Sequence, residues 1–376
     1  MRQHALTFIA FALLLVLNSV AIAQEAQRVG FAEEVSVTTK DFALDEGQAL
    51  RWSITRGVLK GYIRLEISDL EIPSGASLII SDRYGEVVQE LRGPLSRKER
   101  FYSDVIFGDQ AEISIYNASA ATFKIALPRV YYEYTFTAQN SIYEHDDRVQ
   151  INSASLPGDI KAIARSVVFI SFVVEGNYKV CTGFYIGNGN FLTNHHCIRD
   201  QEICDTAVIV TDYSLDEFLM VKHGAQFGCK TVSVPDDTSL DYVTFTVSGD
   251  LPTIPALSFL ETDVPDRTSA VLLQHPGGEP KQAVTTGCSV LETGVIGRQE
   301  GSDFTHRCDT LGGSSGSPVL VPVKSKDGET SLCIVGLHHY GFMDAGDFST
   351  FNRAVRSPLI TENLKQRHIA FQTCES

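Results

Sequence analysis

The sequence predicts an all-β protein with one helix near its C-terminus. Three observations carry that prediction. Short runs of alternating or continuous apolar residues recur from Glu33 to about Ala138, and again from Ile160 onward. Turn residues punctuate those runs at the spacing of antiparallel strands. Helix signals are sparse until Ser357-Pro358, where a proline in the first turn opens a helix through about Arg367.

The chain has 376 residues, 43% hydrophobic and 20% charged, which describes a soluble globular protein with room for two domains. Its net charge of −15 reports solubility. The one basic cluster, Arg97, Lys98 and Arg100, reads as a solvated loop, so a nucleic-acid partner is not expected.

At the N-terminus, Met1-Arg2-Gln3-His4 precedes an apolar run from Ala5 to Leu17, then Ala21-Ile22-Ala23. That is the build of an export signal cleaved after Ala23, making residues 1–23 a signal peptide. The run is short for a bilayer-spanning helix, and no later segment is longer, so the mature form is expected to have no membrane span. Export is consistent with the cysteines. All eight, Cys181, Cys197, Cys204, Cys229, Cys288, Cys308, Cys333 and Cys374, lie in the C-terminal half. None forms a Cys-x-x-Cys pair, so disulfides are favoured over a zinc ribbon or a thioredoxin-like site.

Residues 24–138 contain no cysteine. Tyr62–Ile67, Ser77–Ile80 and Glu112–Tyr116 read as strands, separated by Pro73-Ser74-Gly75, Arg83-Tyr84-Gly85 and Gly108-Asp109. This pattern suggests an antiparallel, sandwich-like domain with an accessory role. Residues 139–159 are polar and read as a linker, where His145 among Glu144, Asp146 and Asp147 is a solvated charge cluster. From 160 to 376 the strands resume. Ser166–Phe172 is one, and Gly183–Ile186 pairs with Asn190–Thr193 across Gly187-Asn188-Gly189.

The chemistry gathers at three places in this half. Gly312-Gly313-Ser314-Ser315-Gly316-Ser317-Pro318 stands directly before the apolar run Val319-Leu320-Val321. It reads as a tight turn feeding a buried strand, in which a serine can attack a carbonyl while nearby N–H groups receive the oxyanion. Upstream, Asn194-His195-His196-Cys197 ends one strand and Leu240-Asp241-Tyr242-Val243 opens another. The order is His, Asp, Ser, which separates this chain from the subtilisin and α/β-hydrolase orders.

Four motifs resemble those of a chymotrypsin-fold, trypsin-like serine peptidase, of the bacterial branch with glutamyl and lysyl endopeptidases. Cys181-Thr182-Gly183-Phe184 through His195-His196-Cys197 resembles the histidine hairpin, and Leu240–Val243 the aspartate strand. Gly313–Pro318 resembles the nucleophile loop, and Ile334–His339 the strand walling the specificity pocket. The resemblance covers about residues 160 to 360 and implies a double β-barrel peptidase domain over 160–376. It implies His196 as the base, since the family's histidine precedes the cysteine, with Asp241 orienting it and Ser315 as nucleophile. The N–H groups of Gly313 and Ser315 would form the oxyanion hole. Protein or peptide substrates are implied, with no cofactor and no metal; oligomeric state is left open. The resemblance also implies the Cys181–Cys197 and Cys288–Cys308 bridges. Cys204–Cys229 is expected because it is local, and Cys333–Cys374 by elimination.

One departure is Ser314, where vertebrate-type members carry the Asp that pairs with a new N-terminus, so that activation pair is not expected. More loosely, Ile72–Leu78 with Gly85, Gly108-Asp109 and Ile113–Ile115 resemble the β-rich region preceding lysyl-endopeptidase-like domains. For specificity, Asp309 in the pocket would select Lys or Arg by a charge-assisted hydrogen bond. Thr310 and His338 instead resemble the carboxylate-binding pair of glutamyl endopeptidases. The basic reading is the first expectation and the acidic one the alternative.

Rival readings remain. Gly312-Gly313-Ser314-Ser315-Gly316 fits the G-x-S-x-G nucleophile elbow with Ser314 central, but Pro318 and the following strand oppose the helix that elbow requires. The doublets His195-His196 and His338-His339 could bind metal. A non-enzymatic secreted binding protein is the third alternative.

Overall fold

The computed structural model describes residues 26–44, 49–58, 61–133, 140–341 and 351–374. The expected signal peptide, 1–23, lies outside the described residues.

Six strands of the C-terminal half form a closed antiparallel barrel. In spatial order they are Val167–Val174, Val208–Val210, Gln226–Ser233, Tyr242–Val247, Asn190–Asn194 and Asn177–Gly187, the last pairing back onto the first. The Gly187-Asn188-Gly189 signal is a real hairpin: Gly187 and Gly189 both take positive φ and Phe184 pairs with Leu192. Phe169, Phe184 and Phe191 fill the wall without exposure. A second, ten-stranded sheet curves beside the barrel. It contains Pro318–Lys324, Thr330–Tyr340, Asn352–Arg356 and Asp303–His306. Together these elements make the double-barrel, chymotrypsin-like architecture. The helix spans Ser357–Gln366 with proline in its first turn, and buries Ile360 and Leu364 in a core with Ile334, Leu337 and Val355.

The four expected cysteine pairings are the ones formed: Cys181–Cys197, Cys204–Cys229, Cys288–Cys308 and Cys333–Cys374.

Ahead of the barrels, two antiparallel sheets enclose an aliphatic core that includes Ile63, Leu65, Ile67, Leu78, Ile80, Ile113, Ile115 and Leu127. One is the five-stranded sheet with Leu50–Thr55, Gln110–Tyr116, Ser77–Ser81 and Val87–Arg92. The other joins Gln27–Thr38, Lys124–Glu133 and Tyr62–Ile72, and it does not stop at the barrel. Gln27–Thr38 pairs on one side with Lys124–Glu133 and on the other with the barrel strand Asn177–Gly187. Around this seam Tyr62 packs on Phe169 at 5.6 Å and on Tyr178 at 5.4 Å between ring centroids. The buried Arg64 reaches across to the carbonyl of Thr206 at 2.7 Å.

The stretch read as a linker is tied in by strand pairing at both ends, to a separate two-stranded ladder and to the second sheet, a departure from the expectation. Asn140 and Ser141 pair with Leu311 and Thr310, and Arg148–Gln150 pairs with Gln282–Val284. Its polar composition concealed strands whose partners lie far along the chain.

Candidate active site

The hairpin that carries His196 is stapled at both ends. The Cys181–Cys197 disulfide ties its first strand to the turn after its second, and Asn194 anchors that turn, with Nδ2 donating to Asp241 O at 3.0 Å and Cys197 N–H donating to Asn194 O at 3.2 Å. Asp241 ends a short turn, Thr238–Leu240, capped by the Asp237 side chain. Its φ of 47° is left-handed, a conformation asparagine and aspartate tolerate better than branched residues. The turn aims the carboxylate at the hairpin.

His196 Nδ1 lies 2.8 Å from Asp241 Oδ2, and His196 N–H donates to Oδ1 at 3.1 Å. Of the doublet, His196 is therefore the member whose ring faces the acid; His195 donates its backbone N–H to Asp241 O instead. His196 Nε2 is buried and has no hydrogen-bond partner among the described residues.

Asp241 holds further partners that the sequence did not announce. His339 Nδ1 is 3.2 Å from Oδ2, and Arg298 reaches Oδ1 at 2.9 Å. On its other side His339 Nε2 meets Asp303 Oδ2 at 2.6 Å. With carboxylates on both nitrogens, both must donate, so His339 is an imidazolium. Burial opposes that charge, but Asp303 and Asp241 overcome it and raise the His339 pKa to about 9. Burial would likewise raise the Asp241 carboxyl. His196 and His339 outweigh it and hold Asp241 well below the usual carboxylate range. The only sequence signal for His339 was its place in the His338-His339 doublet.

Ser315 sits in a loop with two glycines at positive φ. Gly313 has φ 95°, and a Cβ there would press on the His275 carbonyl at 3.0 Å. Gly316 has φ 87°, and a Cβ would collide with the Thr182 carbonyl. The N–H groups of Ser314, Gly316 and Ser317 donate inward to Leu311, His338 and Ser314. Thr182 is the loop's main clamp: its N–H donates to Ser315 O at 2.8 Å and its hydroxyl to Gly313 O at 2.9 Å. Ser314 takes the place of the absent aspartate. Fully buried, its hydroxyl donates to Gln274 Oε1 at 2.5 Å. That bond turns Ser314 into the loop interior and argues against it as the exposed member of an elbow.

Asp309 departs from its expected role. Tyr143 N–H donates to one carboxylate oxygen at 2.8 Å and Asp147 N–H to the other at 2.7 Å. Both carboxylate oxygens are thus taken by backbone donors and serve the 143–147 segment rather than a substrate cation. Thr310 Oγ1 accepts from Asn352 Nδ2 at 3.0 Å. His338 is buried, with Nδ1 3.0 Å from His306 Nε2. Cys308 N–H donates to His306 Nδ1 at 3.3 Å. Burial, reinforced by neighbouring histidines, depresses both pKa values, to about 3 for His306. Neutral His306 then carries its proton on Nε2 and donates to His338, which leaves His338 with an N–H at Nε2.

The only metal-like cluster found among the described residues is Cys181, His196 and Cys197. Both sulfurs are bridged, so it offers no thiolate. Both nitrogens of His339 face carboxylates, which leaves the His338-His339 doublet without a second free ligand.

Fold and site have the form of a chymotrypsin-fold serine peptidase, and residues 181–323 match the family model of the trypsin-like peptidase domain. Among relatives, the glutamyl endopeptidase of Bacillus licheniformis is 25% identical over 228 residues, 57% of this chain. The chain spans about 65% of that relative's length. Among solved structures, the active form of the Rv3671c protease of M. tuberculosis aligns with a TM-score of 0.41 and 20% identity, over 58% of this chain and 89% of that one. Deg5 aligns with a TM-score of 0.39 and 15% identity, over 57% of this chain and 93% of that one.

Proposed function

We propose that the protein is an exported serine endopeptidase that cleaves peptide bonds on the C-terminal side of acidic residues. One continuous tie supports the catalytic reading. Thr182 N–H holds the Ser315 carbonyl, Thr182 follows Cys181, Cys181 is bridged to Cys197, and Cys197 follows His196. The nucleophile loop and the histidine turn are thus fixed to each other through one bond and one disulfide.

Ser315 Oγ attacks the substrate carbonyl while His196 Nε2 takes its proton and later returns it to the leaving amine. Asp241 fixes the tautomer of His196 and stabilises the imidazolium that forms. Gly313 and Ser315 N–H groups receive the oxyanion, a donor of this kind contributing roughly 2.7–4 kcal/mol to barrier lowering. His339 and Arg298 hold the Asp241 carboxylate in place. The four disulfides support export to an oxidising compartment. The aliphatic sandwich over the N-terminal third supports an accessory role for that region.

The acidic preference replaces the Lys/Arg expectation because Asp309 is committed to two backbone donors. A neutral His338 donor with the Thr310 hydroxyl suits a carboxylate or its isostere. The test is hydrolysis of paired peptides with Glu, Gln or Lys before the scissile bond, using wild type, Ser315→Ala and His338→Ala. Glu cleavage lost in both variants supports the reading. Lys cleavage that survives His338→Ala overturns the specificity, and activity retained in Ser315→Ala overturns the mechanism.

A further inference from the structure

The barrel strand Asn177–Gly187 has an edge that runs to the nucleophile loop, and the chain's own first strand lies along it. The pairing is antiparallel, with Gly30 opposite Tyr178, Arg28 opposite Lys179 and Gln27 opposite Val180. Moving toward the chain start by one residue advances one residue along the barrel strand. Ala26 therefore comes level with Cys181, the residue before Thr182, whose N–H is bonded to Ser315 O at 2.8 Å. Two contacts agree with this register. Ala26 is 5% exposed and packs in a cluster with Cys181, Cys197 and Ile198, beside His196. The Gln27 side chain lies on Gly312, filling the space a Cβ would take, one residue from Gly313.

An extended peptide added to a sheet edge is a common mode of substrate capture, with main-chain bonds for affinity and small pockets for alternate side chains. Here the captured strand belongs to the protein. We infer that the chain is a substrate of its own active site, hydrolysed at the peptide bond on the N-terminal side of Ala26, with Ala26–Gly30 as the seated leaving-side product. In the sequence that bond joins Glu25 to Ala26, so the acyl half ends in an acidic residue. The inference rests on the catalytic reading above and agrees with its specificity.

The step balances with water alone. Ser315 Oγ bonds to the carbonyl carbon of Glu25, the C–N bond to Ala26 breaks, and the hydroxyl proton passes through His196 to the Ala26 nitrogen. Water then attacks the ester, leaving a carboxylate on Glu25 and restoring the Ser315 hydroxyl.

The experiment is N-terminal mapping by mass spectrometry of every fragment from the full chain, secreted from one host as wild type, Ser315→Ala and Glu25→Gln. Wild type is expected to give a terminus at Ala26. Ser315→Ala should lack it and begin upstream, and Glu25→Gln should form it at least about tenfold more slowly. A peptide-hydrolysis assay on the same preparations separates the two readings. Wild type that cleaves peptides yet retains residues before Ala26 overturns the inference and leaves the peptidase reading standing. An Ala26 terminus in Ser315→Ala also overturns it, because another protease then made the cut. Wild type inert toward peptides and intact before Ala26 overturns both.

Discussion

The N-terminal sandwich and the catalytic half solve different problems with the same kind of strand. The sandwich buries Ile63, Leu65, Ile67, Leu78, Ile113 and Ile115 against one another and contains no cysteine. The catalytic half buries Asp241, Asp303, His306, His338, His339 and Ser314, groups that cost free energy to remove from water unless each finds a partner. It carries every disulfide in the chain. The difference teaches that cross-links sit where packing is compromised by chemistry.

The sharpest break of that comparison is Ser315→Ala. Activity should fall on the order of 10⁶-fold in kcat, by analogy with removing the serine of a triad, while the melting temperature stays within a degree or two of wild type. A large loss of stability would show that Ser315 is a packing residue. In the sandwich, Ile113→Ala removes a side chain with no exposure and should cost about 2–5 kcal/mol in urea unfolding. Tyr62, Tyr178, Phe169 and the Gln27–Thr38 strand are shared between the two regions, so one cooperative transition is expected rather than two. A separate early transition for the sandwich would mean the seam is weaker than its contacts imply.

Replacing both Cys181 and Cys197 by serine opens a loop of sequence separation 16 and should cost about 3 kcal/mol. Activity should fall more than stability alone explains, because the tie between Ser315 and His196 is cut.

A smaller effect sharpens the electrostatic side. The folded pKa of His339, about 9, lies above its ordinary value of 6.5. Its contribution to stability is therefore fully present below pH 6.5 and is lost as pH rises through about 9. Thermal melts from pH 6 to 10 should show that decline in wild type and a flatter profile in His339→Ser. An identical profile in the variant would assign the decline to other groups. The smallest effect expected on specificity is that of Asp309→Asn. Losing charge from two backbone contacts should lower stability by about 1 kcal/mol without raising the ratio of Glu to Lys cleavage. A selective loss of Lys cleavage would restore Asp309 to the pocket.

The strands at Tyr62–Ile67 and Glu112–Tyr116, the terminal helix and the hairpin at Gly187-Asn188-Gly189 were readable because each rests on local periodicity or turn chemistry. His196, Asp241 and Ser315 were proposed from the sequence because each stands at a strand boundary beside residues with a clear mechanical use, and the His196–Asp241 contact is present in the fold. Arg298 and Asp303 were not, since nothing near them in the chain hints at chemistry, and Thr182 was visible only as part of a motif and not as the clamp on the Ser315 loop. Asp309 misled for a related reason. Its position resembled a pocket acid, but the donors that claim it come from Tyr143 and Asp147, more than 160 residues earlier.

By itself the sequence determined the all-β class, the cysteine inventory and the order of the candidate catalytic groups, because these follow from residue type and short-range pattern. Only the tertiary structure decided that Asn140–Ser141 and Arg148–Gln150 pair with distant strands, that His339 is charged between two acids, and that the first strand lies along the edge leading to Ser315. The physical reason is common to all three. Strand pairing and buried charge are fixed by partners distant in the chain, and a partner's identity is not encoded in the segment that receives it.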